Sequence, residues 1–124
     1  MIKLFRLSAA IIPLAAMLLP APAHATGGLS CKTAGPERIV IDLGFGHVPS
    51  ASLFAARLSE KGKEIAVDAT QWWMQGEEVR LAMVHKKTGE NALLLKAQWS
   101  EKTLSYDGAL SFAGRSHWVR CREA

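Results

Sequence analysis

Three histidines, His47, His85 and His117, and three aspartates, Asp42, Asp68 and Asp107, are residues that metal or acid–base chemistry would recruit downstream of residue 25. A metal ion needs three or four ligands at about 2 Å, yet each histidine stands alone in its own segment. The aspartates fall beside expected turns, where the side chain favours bonding to nearby backbone. No nucleophile elbow, HExxH pair, phosphate-cradling glycine loop or CxxC spacing occurs. The sequence therefore offers no catalytic residue, metal site or cofactor motif. Scattered carboxylates leave one enzymatic alternative, a small hydrolase acting on envelope carbohydrate.

Aromatic residues are the other chemical resource. Trp72, Trp73, Trp99 and Trp118 are large rings for a chain this size, and two are adjacent in "DATQWWMQGEEVRL", Asp68 to Leu81. Neighbouring side chains in a strand point to opposite faces, so one of the pair is expected inside and the other outside. The conservative reading packs all four rings into the core or over its ends. The binding reading places Trp72, Gln75 and Glu77 on a partner-binding edge and Trp73 inside, since exposed aromatics are enriched at interfaces.

The elements that must position these residues lie downstream of a targeting segment. Lys3 and Arg6 provide a basic start, Leu7 to Leu19 an uncharged apolar run, and Ala23-His24-Ala25 small residues at both cleavage-determining positions. Residues 1–25 thus read as a signal peptide cleaved after Ala25, with a periplasmic or secreted product. The apolar run is shorter than the roughly 20 residues a spanning helix needs and contains Pro13, so no stable membrane anchor is expected after cleavage. Residues 26–124 then form a single small domain. Removing Lys3 and Arg6 leaves 13 basic residues against 11 acidic ones. The bases are dispersed, with no basic stripe interleaved with aromatics, so nucleic acid is not expected as a partner.

Cys31 and Cys121 lie at opposite ends of that domain. An even pair in a small exported protein reads as a disulfide. Closing a loop of this length would contribute up to about 4–5 kcal/mol in the chain-entropy model. Between the cysteines the pattern is mostly strand. "ERIVIDL" is rich in β-branched residues, and the "GFGHVP" next to it signals a turn or bulge. In "EEVRLAMVHK", Val79, Leu81, Met83 and His85 alternate with polar or small residues. "ALLLKAQW" puts Leu93, Leu95, Ala97 and Trp99 on one face. Turn signals recur at Asp107-Gly108 and Gly114-Arg115. Ser50 to Lys63 fits a strand, with Leu53, Ala55 and Arg57 alternating, or a short helix capped by Gly62; its strand neighbours favour the strand. The expected fold is all-β, a small antiparallel barrel or sandwich of about 7–8 strands with at most one short helix, its terminal strands joined by the disulfide.

The segment "WMQGEEVRL", Trp73 to Leu81, resembles part of the periplasmic and membrane-bound inhibitors of c-type lysozyme, where an aromatic strand runs into a Lys-Gly turn followed by an acidic residue, a small apolar residue and Leu. The resemblance implies an exported, disulfide-bonded β-barrel that inhibits a protein partner. Gln75 stands where the family has the lysine, and the family's Ser-Gly-x-x-Tyr inhibitory motif has no counterpart. "LSCK" and "HWVRCRE" also resemble the ends of small exported bacterial proteins without an assigned function. The expected function is an exported, non-catalytic binding or inhibitory module of the bacterial envelope, with a protein or an envelope glycan as partner.

Overall fold

Period-two alternation bounded by tight turns produces nine strands among the described residues. They are β1 (Gly27–Thr33), β2 (Ile39–Phe45), β3 (Leu53–Glu60), β4 (Lys63–Ile65), β5 (Val67–Gln75), β6 (Glu78–His85), β7 (Asn91–Ser100), β8 (Ser105–Phe112) and β9 (Arg115–Glu123). The structure is a computed structural model describing residues 27–46 and 53–124. The expected signal segment, Thr26, His47 and the start of the Ser50–Lys63 stretch lie outside the described residues. No helix occurs among the described residues.

All strands join one antiparallel sheet in the order β4-β3-β2-β1-β9-β8-β7-β6-β5. The sheet curls until β3 and β5 approach one another, nearly closing a barrel. Each strand sends alternate residues inward. Leu29, Ile41, Leu58, Val79, Leu81, Met83, Leu93, Leu95, Leu110 and Val119 are all buried there. Removing such side chains from water is the main favourable term, about 1.5–3 kcal/mol for each large one.

The β1–β9 ladder sets Cys31 directly opposite Cys121, and the two form the expected disulfide. Both cysteines are fully buried. Cross-strand pairing runs on from them in both directions, through Tyr106 and Trp99 on one side and Ile41 and Leu58 on the other. The disulfide is therefore part of a continuous inner layer. Trp99 and Tyr106 close that layer edge to face, with ring centroids 5.0 Å apart.

Several expectations are refined. The stretch around Ser50–Lys63 is a strand from Leu53 to Glu60. Gly62 caps no helix: Lys61 and Gly62, at φ 53° and 84°, are the two central residues of the β3–β4 hairpin, where a two-residue loop of the favoured kind needs positive φ at both positions. The irregularity expected after Leu43 is a register shift between Gly44 and Phe45. Among the described residues the strands number nine because β4, only three residues long, pairs separately with β3.

Asp107-Gly108 is not a turn; both residues lie within β8. Gly108 faces Ala97 across β7 and Val119 across β9. A Cβ there would meet the Lys96 carbonyl oxygen and lie 2.6 Å from the Ala97 Cα. The position requires glycine because two backbones approach closely, not because the chain reverses. Gly108→Ala is expected to destabilise the domain by about 1–3 kcal/mol through overpacking, read as a fall in the urea midpoint at unchanged slope.

Candidate functional site

A bulge in β5 decides which tryptophan faces outward. Val67 and Ala69 point inward, but the β5–β6 register skips Thr70, pairing Ala69 with Met83 and Gln71 with Ala82. One extra residue reverses the phase of everything after it. Trp72 and Met74 consequently turn inward and pack on the core, and Gln71, Trp73 and Gln75 turn outward. Trp72 stacks on Phe45 with ring centroids 5.5 Å apart, while Trp73 is 51% exposed. The expectation of Trp73 inside and Trp72 outside is thus inverted. Gln75 shares its face with Trp73, and Glu77 is exposed in the turn between β5 and β6.

Following Trp73 across the ladders gives an uninterrupted outer row. Trp73 opposes Arg80, Arg80 opposes Lys96, Lys96 opposes Ala109, and Ala109 opposes Trp118. Trp118 is 54% exposed, and Leu94, one row away, is 53% exposed. Two outward tryptophans thus flank two cations and a small residue. A pair of cations between two aromatic ends is a feature not expected from the sequence. Each strand contributes one member, so the row has no counterpart as a contiguous motif. A shallow depression of about 300 Å³ lies beside it, with Gln71, Ala82, Leu94, Ala109, Ser111 and Ser116 in its lining.

Trp118 is held by a polar network on the same face. The Arg120 guanidinium donates twice to Asp107, from Nε at 2.8 Å and from Nη2 at 3.0 Å, a two-pronged geometry that fixes its plane. Its central carbon lies 4.9 Å from the centroid of the Trp118 ring, within cation–π range. Ser105 donates to Asp107 at 2.8 Å, Thr103 donates to it at 3.3 Å, and the Thr103 and Ser105 hydroxyl oxygens are 2.7 Å apart. The hydrogen bond from Arg120, followed by that from Ser105, holds the Asp107 carboxyl below the usual carboxylate range. Asp107 is therefore kept ionised, the opposite of what a general acid requires.

Among the described residues the other sequence candidates do not converge. Asp42 lies within β2 and Asp68 near the start of β5, both exposed. His85 ends β6; His117, in β9, has its Nε2 3.9 Å from Glu37 Oε1. Among the described residues no three of His, Cys, Asp and Glu are placed to hold a metal ion. Burial, then the charges of Glu123 and Glu77, raises the Tyr106 phenol above its ordinary value, so it stays protonated. A groove of about 1000 Å³ runs along the seam between β3 and β5. Ion pairs already occupy its rim, Arg57 with Glu64 at 3.9 Å and Lys86 with Asp68 at 3.6 Å. Such exposed pairs contribute little to stability.

Fold and face together define a small, disulfide-stapled, all-β barrel that presents aromatic and basic groups on its outer surface. No family model, curated protein or solved structure matches the chain.

Two outcomes test the geometry. Trp72→Ala should destabilise the domain by about 3 kcal/mol, as loss of a packed aromatic does, whereas Trp73→Ala should stay within about 0.5 kcal/mol; urea unfolding of the two variants compares them directly. The Asp107 carboxyl is held below its unfolded value of about 3.9. Its contribution is therefore complete above that value and is lost as pH falls through the lower folded value. Asp107→Asn should reduce the unfolding midpoint at pH 6 and flatten its decline below about pH 4, so a midpoint as steeply acid-sensitive as in the wild type would contradict the assignment.

Proposed function

We propose that the chain is an exported, non-catalytic binding or inhibitory module of the bacterial envelope, with the outer face of β5–β9 as its recognition surface. The observation that carries this reading is the oriented aromatic row: Trp118 is stacked under a guanidinium anchored by Asp107, and Trp73 faces outward at the other end. Anchoring restricts the ring before any partner arrives, which lowers the ordering cost of binding. Hydrophobic side chains fill the barrel interior, so an exterior surface suits a binding role. The disulfide is consistent with an oxidising compartment, and residues 1–25 supply the export signal in this reading.

Inhibition of a c-type lysozyme is the more specific form of the proposal. The β5–β6 hairpin that resembles those inhibitors ends in an exposed Gln75-Gly76-Glu77 turn. The hydrolase alternative is disfavoured by Asp107, whose carboxylate is committed to Arg120.

The protein recovered from the periplasm should begin at Thr26. Incubated with c-type lysozyme and with peptidoglycan fragments, that mature protein should bind or inhibit without releasing reducing ends, and the double variant Trp73→Ala/Trp118→Ala should lose binding while remaining folded. Release of reducing ends by the wild-type domain would replace the binding module with a hydrolase.

A further inference from the structure

We infer that the outer face of β5–β9 binds an anionic oligosaccharide laid across the strands from Trp73 to Trp118. This rests on the binding-module reading and supplies its ligand class. Four strand spacings of about 4.8 Å separate the two tryptophans, about 19 Å along the sheet. No monosaccharide spans that distance, so a ligand engaging both rings must be an oligomer. An exposed indole offers a flat apolar face, suited to the apolar face of a sugar ring.

The groups between and beside the rings select the rest of the ligand. Gln71, Ser111 and Ser116 line the depression and provide an amide and two hydroxyls that can both donate and accept, as sugar hydroxyls require. Ala82 and Ala109, also in its lining, carry side chains too small to block the approach of a ring. Arg80 and Lys96 lie between the tryptophans, and Arg120 and Lys32 oppose each other in the adjoining row. Glu78 and Asp107 are the acids among them: Glu78 accepts from Arg80 at 3.0 Å and lies 3.9 Å from Lys96, and Asp107 is bound by Arg120. Three bases on β5–β9, with Lys32 of the neighbouring β1 as a fourth, facing two acids leave a positive excess, complementary to carboxylate or phosphate groups on the glycan. Nucleic acid would satisfy the charges and rings equally, but the disulfide is consistent with an oxidising compartment, which favours a glycan.

The test uses the mature domain with three probes: uronate oligomers of graded length, neutral maltooligosaccharides of the same lengths, and a single-stranded DNA oligonucleotide. Titration followed by tryptophan fluorescence and by calorimetry should show uronate affinity rising with length until both rings are spanned. Trp73→Ala and Trp118→Ala should each weaken it about ten-fold, equivalent to about 1.4 kcal/mol. Arg80→Gln/Lys96→Gln should abolish the preference for uronate over the neutral oligomer. Unchanged thermal unfolding would show that these variants are folded. Equal affinity for monomeric and oligomeric uronate, for neutral oligomers, or for DNA would overturn the assignment. So would a wild-type dimer that dissociates on Trp73→Ala, because the face would then be a contact between copies of the chain. If uronates fail but a lysozyme is bound through the same tryptophans, the glycan assignment falls and the binding-module reading stands. If the double tryptophan variant matches the wild type against every probe and against lysozyme, both fall.

Discussion

The β1–β9 ladder is the constraint on which the rest of the structure depends. Among the described strands, every other ladder joins sequence neighbours; this one joins strands whose cysteines are 90 residues apart. Without it the chain would be two meanders, β1–β4 and β5–β9, each with an apolar face open to water. Loop-closure entropy opposes so distant a pairing. The disulfide removes most of that cost by restricting the unfolded chain, at up to about 5 kcal/mol in the chain-entropy account. Its sulfurs also occupy the inner layer, flanked by Tyr106 and Ile41, so the bridge serves as core packing as well as tether. A domain this small has little core to spare.

Closure has a second consequence, at the outer face. The row from Trp73 to Trp118 exists because β5 through β9 keep a common register over its length. Trp118 and Arg120 lie on β9, the strand the disulfide fixes to β1. Arg120 is held by Asp107 on β8, and Gly108, beside it, lets β8 lie against β7. The oriented ring is thus supported by the close approach of two backbones, by an ion pair and by a covalent bond elsewhere on its own strand. The surface needs no loop of its own; five strands, one of them bulged at Thr70, position it.

Much of this architecture is legible in the sequence because alternation and cysteine position are local signals. β6 and β7 declare their buried faces through Val79, Leu81 and Met83 and through Leu93, Leu95 and Ala97, all buried as expected. The Thr70 bulge is not legible. It carries neither glycine nor proline, and it reverses the two tryptophans that the binding argument uses. Asp107-Gly108 reads as a turn because that pair is common in turns, while the reason for Gly108 is a neighbouring backbone distant in sequence. The outer row is hidden for a related reason: its members Trp73, Arg80, Lys96, Ala109 and Trp118 become a stripe only when registers are known.

The barrel's size also determines what kind of ligand site it can have. About eight strands enclose just enough space for their own side chains, and here Leu29, Ile41, Leu58, Met83, Leu95 and Leu110 help fill the interior. An enclosed pocket of the lipocalin type would require removing that core. The outer face of β5–β9 is convex, and the depression beside the tryptophan row holds only about 300 Å³. A convex sheet cannot surround a compact ligand, but it can contact an extended one along its length. Recognition on such a face depends on a few separated anchors whose orientation is fixed beforehand, and in the β5–β9 face those anchors are two indole rings with cations between them.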